Sequence, residues 1–230
     1  MLRSARNDGP NATPATPDGV LLLHGIARRA ASMRRLERAF RETGYATLNL
    51  DYPARTAPLE RLVPLVARPV AAFCETVSRL HVVTHSMGGL LARALIAKSR
   101  PENLGRVVML GPPNGGSEVA DRLHRTWAYR RFFGPAGAQL VTQRDLDTEA
   151  LLGGIDYPLG IIAGDRSLYL LESLLWLSGP NDGRVTVART HVAGMSDHVT
   201  LHADHATMMW NRDVITEAVG FVRHGRFGAG

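Results

Sequence analysis

Short apolar runs alternate along most of the chain with longer stretches in which apolar residues recur at helical spacing. Runs of about four to eight aliphatic residues are typical of buried strands, whereas apolar residues three and four positions apart indicate amphipathic helices. The two patterns follow one another from residue 20 to residue 222, with no internal repeat. Such alternation predicts an α/β fold, in which a mostly parallel sheet is covered by helices on both faces.

The pattern also predicts where each element lies. Strands are predicted over residues 19–26, 45–50, 80–83, 106–111, 155–163 and 189–195. Helices are predicted over residues 32–43, over 59–80 with breaks near Pro64 and Pro69, from Leu90 onwards, and after Asn211. The predicted helix caps are Ser32, Ser117 and Asn211, and Gly44 is the predicted end of the first helix. Residues 167–177 are interpreted as a loop or a helix.

The functional interpretation depends on residues 80–97. An apolar run over residues 80–83 is followed by THSMGG at residues 84–89 and then by helical spacing. No room remains for a loop, so a sharp strand-to-helix turn is expected to strain the backbone of Ser86 and to lift its side chain out of the sheet edge. The following helix would point unpaired N–H groups at that position. Ser86 is therefore a candidate nucleophile, and capping of the helix by the same serine is the alternative.

A serine hydroxyl is a weak nucleophile at neutral pH, so it needs a base to accept its proton and an acid to orient that base. Parallel sheets bind ligands at the carboxyl ends of their strands, where Ser86, Gly25, Asp165 and Asp182 are all predicted to lie. Candidates for the acid and the base are Asp165, Asp182 and Asp197, and His191, His198, His202 and His205.

THSMG at residues 84–88 resembles the nucleophile elbow, G-x-S-x-G, of the α/β-hydrolase family, with Thr84 in place of the first glycine. The aliphatic run over residues 19–26, which ends in His-Gly-Ile, resembles the first long strand and the oxyanion loop of that family. This resemblance implies that the backbone N–H groups of Ile26 and Met87 bind the oxyanion of a tetrahedral intermediate.

NDGRV at residues 181–185 resembles the acid-bearing turn of lipase-like members of the family, and the loop around His205 resembles their histidine-bearing loop. The order serine, acid, histidine is that of the family. We therefore expect Asp182 to be the acid, with Asp165 as the second choice. His205 is expected to be the base, and His202 in the same loop stays open as an alternative.

Residues 118–153 are predicted to form a lid or a pocket wall above the serine, because this region often does so in the family. Aromatic residues cluster there between arginines, and a surface helix with its aromatic residues in the core is the alternative. The expected substrate pocket comprises Trp127, Phe132, Phe133, His85 and His24, and His24 is also expected to orient the oxyanion loop.

The length of 230 residues favours one domain, which we place over residues 19–230 after a flexible tail at 1–18. The single cysteine, Cys74, excludes an intrachain disulfide and a cysteine metal cluster. The sequence contains no apolar run long enough to cross a membrane and no secretory signal pattern, so a cytoplasmic protein is expected.

The formal net charge is +6 and Lys98 is the only lysine, so nearly all of the positive charge is arginine. The arginines are scattered in sequence and are not interleaved with aromatic residues, so nucleic acid is not expected as a partner. At most, the basic charge is expected to make a weak contact with an anionic surface. Neither a calcium-binding spacing nor a phosphate-binding loop occurs, so no cofactor or metal is expected. The oligomeric state stays open.

The resemblance covers residues 19–227 and implies a serine hydrolase that cleaves a small-molecule or lipid carboxylic ester through an acyl-enzyme. The same residues could serve a thioesterase, an amidase or an acyltransferase, because fold and triad do not distinguish these activities. A protein that keeps the fold as a non-catalytic binding module, and a basic module that binds anionic lipid or nucleic acid, are the other hypotheses.

Overall fold

The strands form one sheet in a computed structural model of the protein, which describes residues 16–168 and 175–228. Its strands are β1 (Gly19–Leu23), β2 (Ala46–Leu50), β3 (Leu80–His85), β4 (Leu104–Leu110), β5 (Leu159–Gly164) and β6 (Asp197–Leu201). The strand order is β2-β1-β3-β4-β5-β6, and every neighbouring pair is parallel. The α/β fold predicted from the hydrophobic pattern is therefore confirmed. Residues 1–15 of the tail predicted at 1–18 lie outside the described residues.

Helices cover both faces of the sheet. They are α1 (Arg34–Glu42), α2 (Leu59–Cys74), α3 (Met87–Ser99), α4 (Glu118–Leu123), α5 (Trp127–Ala138), α6 (Leu146–Leu152), α7 (Val187–Thr190) and α8 (Arg212–His224), with 3-10 turns at Ala30–Met33 and Met208–Trp210. Successive side chains of a strand point to opposite faces, so β1 contributes Leu21 and Leu23 to the core beneath α2 and α3, and Val20 and Leu22 to the core beneath α1 and α8.

Helix α2 runs without a break from Leu59 to Cys74, so the interruption predicted near Pro64 and Pro69 is wrong. A proline inside a helix removes one hydrogen bond and costs about 3 kcal/mol. The apolar face of α2 is fully buried against α3 and the sheet, and this packing holds the helix together across both prolines.

The last strand is β6, not the predicted run over residues 189–195, whose first two residues belong to α7. The reason lies in the position of β6 at the edge of the sheet, where it pairs only with β5. An edge strand is partly exposed, so its sequence, DHVTL, lacks the continuous apolar run that marks the buried strands.

The predicted caps have mixed outcomes. Asn211 caps α8, because its Oδ1 accepts the N–H groups of Asp213 and Val214, and Gly44 follows the end of α1 with a φ of 93°. Ser32 is not a cap: it lies in the 3-10 turn, and its Oγ donates to the carbonyl of Arg29. The loop or helix expected over residues 167–177 falls largely on residues 169–174, which lie outside the described ranges.

Candidate active site

The turn at Ser86 joins β3 directly to α3. Strand β3 ends at His85 and helix α3 begins at Met87, three residues earlier than the predicted start at Leu90. Ser86 adopts φ 54° and ψ −127°, and it is the one non-glycine residue with positive φ in the part of the chain that the structure describes. Such backbone strain costs about 1–3 kcal/mol and is typical of functional sites. The sharp turn expected from the absence of a loop is therefore present.

Three neighbouring residues explain how the turn forms. A Cβ atom on Gly88 would lie 2.5 Å from the carbonyl oxygen of Leu23, so only glycine allows α3 to begin this close to the end of β1. Thr84 stands where the family pattern has glycine, and it is fully buried. Its Oγ1 would lie 3.3 Å from a Cβ on Gly89, so the second glycine of the helix leaves space for the threonine hydroxyl.

The side chains of His205 and Asp182 continue from Ser86 in a chain of hydrogen bonds. The Nε2 atom of His205 lies 2.9 Å from the Oγ of Ser86, and its Nδ1 lies 2.7 Å from the Oδ2 of Asp182. Ser86 and Asp182 are 7% and 1% exposed, so both contacts are shielded from water. The geometry allows His205 to accept the serine proton while the carboxylate holds its ring by the other nitrogen.

Backbone groups fix the Asp182 carboxylate. Its Oδ1 accepts the N–H groups of Arg184 at 2.9 Å and Val185 at 2.8 Å, which leaves Oδ2 for His205. The N–H of His205 in turn donates to the carbonyl of Asp182 at 2.9 Å. Gly111, at the end of β4, leaves space for this pair, because a Cβ there would lie 2.9 Å from the aspartate Oδ2.

The loop that follows β4 anchors the segment that carries Asp182. Ser117 stands at the start of α4, but its side chain makes no capping bond and instead donates to the carbonyl of Arg184 at 2.7 Å. Ser117 thus occupies the predicted N-cap position, but its side chain does not cap the helix. Asn114 of the same loop donates to the carbonyl of Thr190 at 2.8 Å. These bonds join segments far apart in sequence, so no local sequence signal could have revealed them.

The alternative acid and base candidates lie apart from Ser86. His202 and Asp165 form their own pair, with Nδ1 3.1 Å from Oδ1, and the His202 side chain is 78% exposed. His191 and His198 stack on each other with ring centroids 3.9 Å apart, and His198 Nε2 donates to the hydroxyl of Thr190. The candidate Asp197 lies in β6 and accepts the N–H of Phe227.

Two backbone N–H groups are positioned beside the serine. Met87 is the first residue of α3, so its N–H has no partner within the helix. Ile26 follows Gly25, and a Cβ atom on Gly25 would lie only 3.2 Å from the Cβ of Ser86. Neither N–H donates to another group among the residues that the structure describes. Both are thus free to donate to an oxygen bound at Ser86.

His24 is completely buried behind the loop that carries Ile26. Its Nδ1 lies 2.8 Å from the carbonyl oxygen of Gly25, and its ring stacks on Tyr52 with centroids 4.2 Å apart. The Tyr52 hydroxyl donates to the carbonyl of His24. Burial lowers the pKa of His24, although the nearby Asp51 carboxylate opposes that effect. A neutral ring with Nδ1 protonated can donate to Gly25 and hold the loop in place.

His85 lies directly behind His205. Its Nε2 donates to the backbone carbonyl of His205 at 2.9 Å, and the two ring centroids are 5.0 Å apart. Burial, followed by the neighbouring His205, places the pKa of His85 well below its usual value, so the ring is neutral. A sequence signal pointed to His85 only as a neighbour of the serine. Its bond to the loop of His205 depends on the tertiary structure.

The aromatic residues of α5 occupy different environments. Trp127 is 79% exposed, whereas Phe133 is partly buried and its ring lies 4.5 Å from that of Tyr129. Phe132 is half-exposed and lies under the guanidinium of Arg55, at 4.6 Å from ring to Cζ. Helix α5 also contributes Arg131 to the wall of a cleft of about 640 Å³ that borders Ile26. A role of the three rings in substrate binding stays a prediction.

Across residues 16–168 and 175–228, no group of three or more His, Cys, Asp or Glu side chains could hold a metal ion. Within the same ranges, no helix is both long and apolar enough to cross a membrane.

The chain belongs to the alpha/beta hydrolase family, whose sequence model matches residues 20–225. No curated protein sequence matches the chain. The family resemblance seen in the turn and loop sequences is thereby confirmed.

Solved structures similar to this chain include lipases and esterases. The mature lipase BlEst2 of Bacillus licheniformis aligns with a TM-score of 0.63 and 19% identity, over 88% of this chain and 90% of that one. A metagenomic carboxyl esterase, MGS0156, aligns with a TM-score of 0.64 and 17% identity, over 89% of this chain and 71% of that one. A structure reported for the metagenome-derived lipolytic enzymes LipS and LipT aligns with a TM-score of 0.63 and 17% identity, over 91% and 94% of the two chains. At these identities the likeness shows the fold.

Proposed function

We propose that the protein is a serine hydrolase that cleaves carboxylic esters through an acyl-enzyme intermediate. The observation that carries this proposal is the hydrogen-bonded chain from Ser86 through His205 to Asp182, with its serine on a strained turn between a strand and a helix. A serine that only capped the helix would not require positive φ, and its hydroxyl would not be bonded to a histidine that an aspartate orients.

In the proposed reaction His205 Nε2 removes the proton from Ser86 as Oγ attacks the ester carbonyl. Asp182 stays ionised and stabilises the imidazolium that forms. The N–H groups of Ile26 and Met87 donate to the carbonyl oxygen as it becomes negative, which is worth several kcal/mol in total, roughly 3–4 for each donor. The imidazolium then protonates the departing alcohol, and water activated by the same histidine releases the acid from the acyl-enzyme.

An ester is the proposed substrate because the similar structures include a lipase and a carboxyl esterase. The same constellation can cleave thioesters and amides or transfer an acyl group, so the proposal concerns ester hydrolysis first. A non-catalytic binding module would have no need of an oriented base bonded to a strained serine.

Labelling and turnover together test the nucleophile. A fluorophosphonate should modify the wild-type protein and not Ser86→Ala, and the variant should lose p-nitrophenyl butyrate hydrolysis by at least about a thousandfold. The circular dichroism spectrum should be unchanged, because one hydroxyl is lost and no packing. Turnover by Ser86→Ala at the wild-type rate would show that the nucleophile is another residue.

The two histidine–aspartate pairs provide a matched comparison. His205→Ala and Asp182→Asn should each lower kcat by about a hundredfold or more, because the base or its orientation is lost. His202→Ala and Asp165→Asn should change kcat by less than about threefold, because their exposed pair does not contact Ser86. The reverse ranking would place the base three residues earlier in the chain.

A further inference from the structure

An arginine-lined cleft lies beside the candidate active site. It has a volume of about 640 Å³ and is formed by the loops that follow β1 and β2 and by Arg131 of α5. Its cationic lining consists of Arg28, Arg29, Arg55 and Arg131. The volume falls within the range of small-molecule sites, which is about 300–1,000 Å³. We refer to this cavity as the arginine cleft.

Two contacts join the arginine cleft to the reacting residues. Ile26, whose N–H is proposed to bind the oxyanion, is part of the cleft lining. Arg28 donates from Nη2 to the carbonyl of Ala206, the residue that follows His205, at 2.6 Å. A molecule whose carbonyl reacts at Ser86 would therefore have the cleft next to it, on the side of the oxyanion loop.

Little negative charge within the cleft balances the positive charge of its guanidinium groups. Asp51 is the single carboxylate in the lining. It already accepts the N–H of Ala30 at 3.1 Å. In the part of the chain that the structure describes, Arg29 and Arg131 form neither a salt bridge nor a side-chain hydrogen bond. Both residues are exposed, so their N–H donors are accessible to a ligand.

The chemistry of the lining selects the kind of group that fits. Guanidinium groups bind phosphate and carboxylate by paired, charge-assisted hydrogen bonds, and such bonds are roughly twice as strong as neutral ones. An acyl chain would instead require aliphatic walls, whereas the apolar side chains at this cleft are short or, like Ile26, buried in the core. The cleft thus suits an anionic headgroup and not the hydrocarbon part of a substrate.

We propose that the arginine cleft binds an anionic group, phosphate or carboxylate, of the ester whose carbonyl reacts at Ser86. The preferred substrates would be esters that carry such a group on the part of the molecule directed away from the acyl chain. This inference rests on the proposed ester hydrolysis and adds its substrate class.

Matched ester pairs measure the selectivity. The phosphate pair is butyryl glycerophosphate and glycerol monobutyrate, which differ only in the phosphate. The carboxylate pair is p-butyryloxybenzoate and p-butyryloxybenzamide, which differ in the charge of one substituent. Butyrate release gives kcat/KM for each ester, and the ratio of the anionic to the neutral member is the quantity compared. Wild-type protein should show a ratio of about ten or more for at least one pair.

Paired arginine variants test whether the cleft causes this ratio. The double variant Arg29→Gln/Arg131→Gln should lower the ratio by at least about tenfold, because it removes the charged donors that would bind the anion. The control is Arg34→Gln/Arg38→Gln, which removes the same net charge from exposed positions on α1, outside the cleft lining. The control should keep the wild-type ratio. A loss confined to one ester pair identifies the anion as phosphate or carboxylate.

Three results would overturn the proposal. They are a wild-type ratio of one or less for both pairs, a ratio that the cleft variant leaves unchanged, and equal losses in the cleft and control variants. Equal losses would mean that net charge alone attracts the substrate over long range.

A binding measurement separates this proposal from the proposed function. Calorimetric titration of butyryl glycerophosphate and of p-butyryloxybenzoate into Ser86→Ala requires no turnover. Adding Arg29→Gln/Arg131→Gln to that background should weaken the affinity for at least one of them by about tenfold, and adding Arg34→Gln/Arg38→Gln should not. If the protein hydrolyses no ester but binds these anions in an arginine-dependent way, the proposed hydrolase activity is contradicted and the proposed anion site is supported. Hydrolysis with arginine-independent binding of both would contradict the anion site alone.

Discussion

At the scale of single residues, the geometry at Ser86 depends on what holds the ring of His205. The ring is oriented from one side by Asp182 and its backbone is held from behind by the side chain of His85. His85 is neutral and donates through Nε2, because its acceptor is a carbonyl. A displacement of a catalytic group by about 1 Å can lower the rate a hundredfold. We therefore regard His85 as a positioning residue for His205.

Replacement of His85 tests this role. His85→Phe keeps a ring of similar size but removes the donor, and it should lower kcat by about tenfold, which corresponds to one hydrogen bond of about 1.4 kcal/mol. KM should change less than twofold, because His85 is only 2% exposed. His85→Gln, which restores an N–H donor, should recover most of the rate. A loss of stability without any effect on kcat would make His85 a purely structural residue.

At the scale of elements, helix α5 is shaped by a single glycine. Gly134 interrupts the helix with φ 65° and ψ −163°, ahead of Pro135. A Cβ atom at Gly134 would lie 1.7 Å from the carbonyl oxygen of Arg55, so the kink packs directly on the loop after β2. The two walls of the arginine cleft that carry Arg55 and Arg131 are held together at this contact.

Two glycine substitutions compare this contact with an open position. Gly134→Ala should lower the free energy of unfolding by about 2–4 kcal/mol, because the side chain meets backbone and the φ angle is strained. Gly220→Ala, in α8 with nothing within 4 Å of the added Cβ, should raise it by about 0.5–1 kcal/mol. Urea unfolding of both variants measures the difference. Equal effects would show that the kink is not packed as described.

At the scale of the whole molecule, several fully or partly buried histidines link stability to pH. Burial lowers the pKa of His24, His85 and His198, that of His198 to about 4 with the stacked His191 as a further cause. The usual value is about 6.5, so below it the unfolded chain binds protons that the folded chain excludes. The folded state therefore loses stability as the pH falls below about 6.5, and for His198 this loss continues to about pH 4.

The pH dependence can be measured by urea unfolding between about pH 7.5 and about pH 4.5. His24 and His85 should each contribute a slope of up to about 1.4 kcal/mol per pH unit within its window, and the half-buried His198 should contribute less because solvent screens its charge. His198→Gln retains an N–H donor for Thr190 but cannot titrate, so it should flatten the slope. His224→Gln, at an exposed position on the last helix, should leave the slope unchanged. An identical slope in wild type and His198→Gln would show that folding does not prevent His198 from binding a proton.

The sequence by itself determined the elements whose physical cause is local. Four consecutive aliphatic residues in β1, the amide cap at Asn211 and the absence of any loop around Ser86 each leave a signal within a few positions. The sheet, the strained turn and the family follow from such signals. Edge strand β6 and the unbroken α2 were mispredicted, because partial exposure in one case and packing against α3 in the other are properties of the assembled molecule.

Only the tertiary structure decided which distant side chains meet. His202 and His205 are three residues apart in one loop. How that loop lies over the sheet edge decides that His202 bonds the exposed Asp165 and that His205 contacts Ser86. Four of the arginines that look scattered along the chain converge, because the loops after β1 and β2 and Arg131 of α5 line the same cleft. Contacts between segments so far apart arise from packing, which no local pattern encodes.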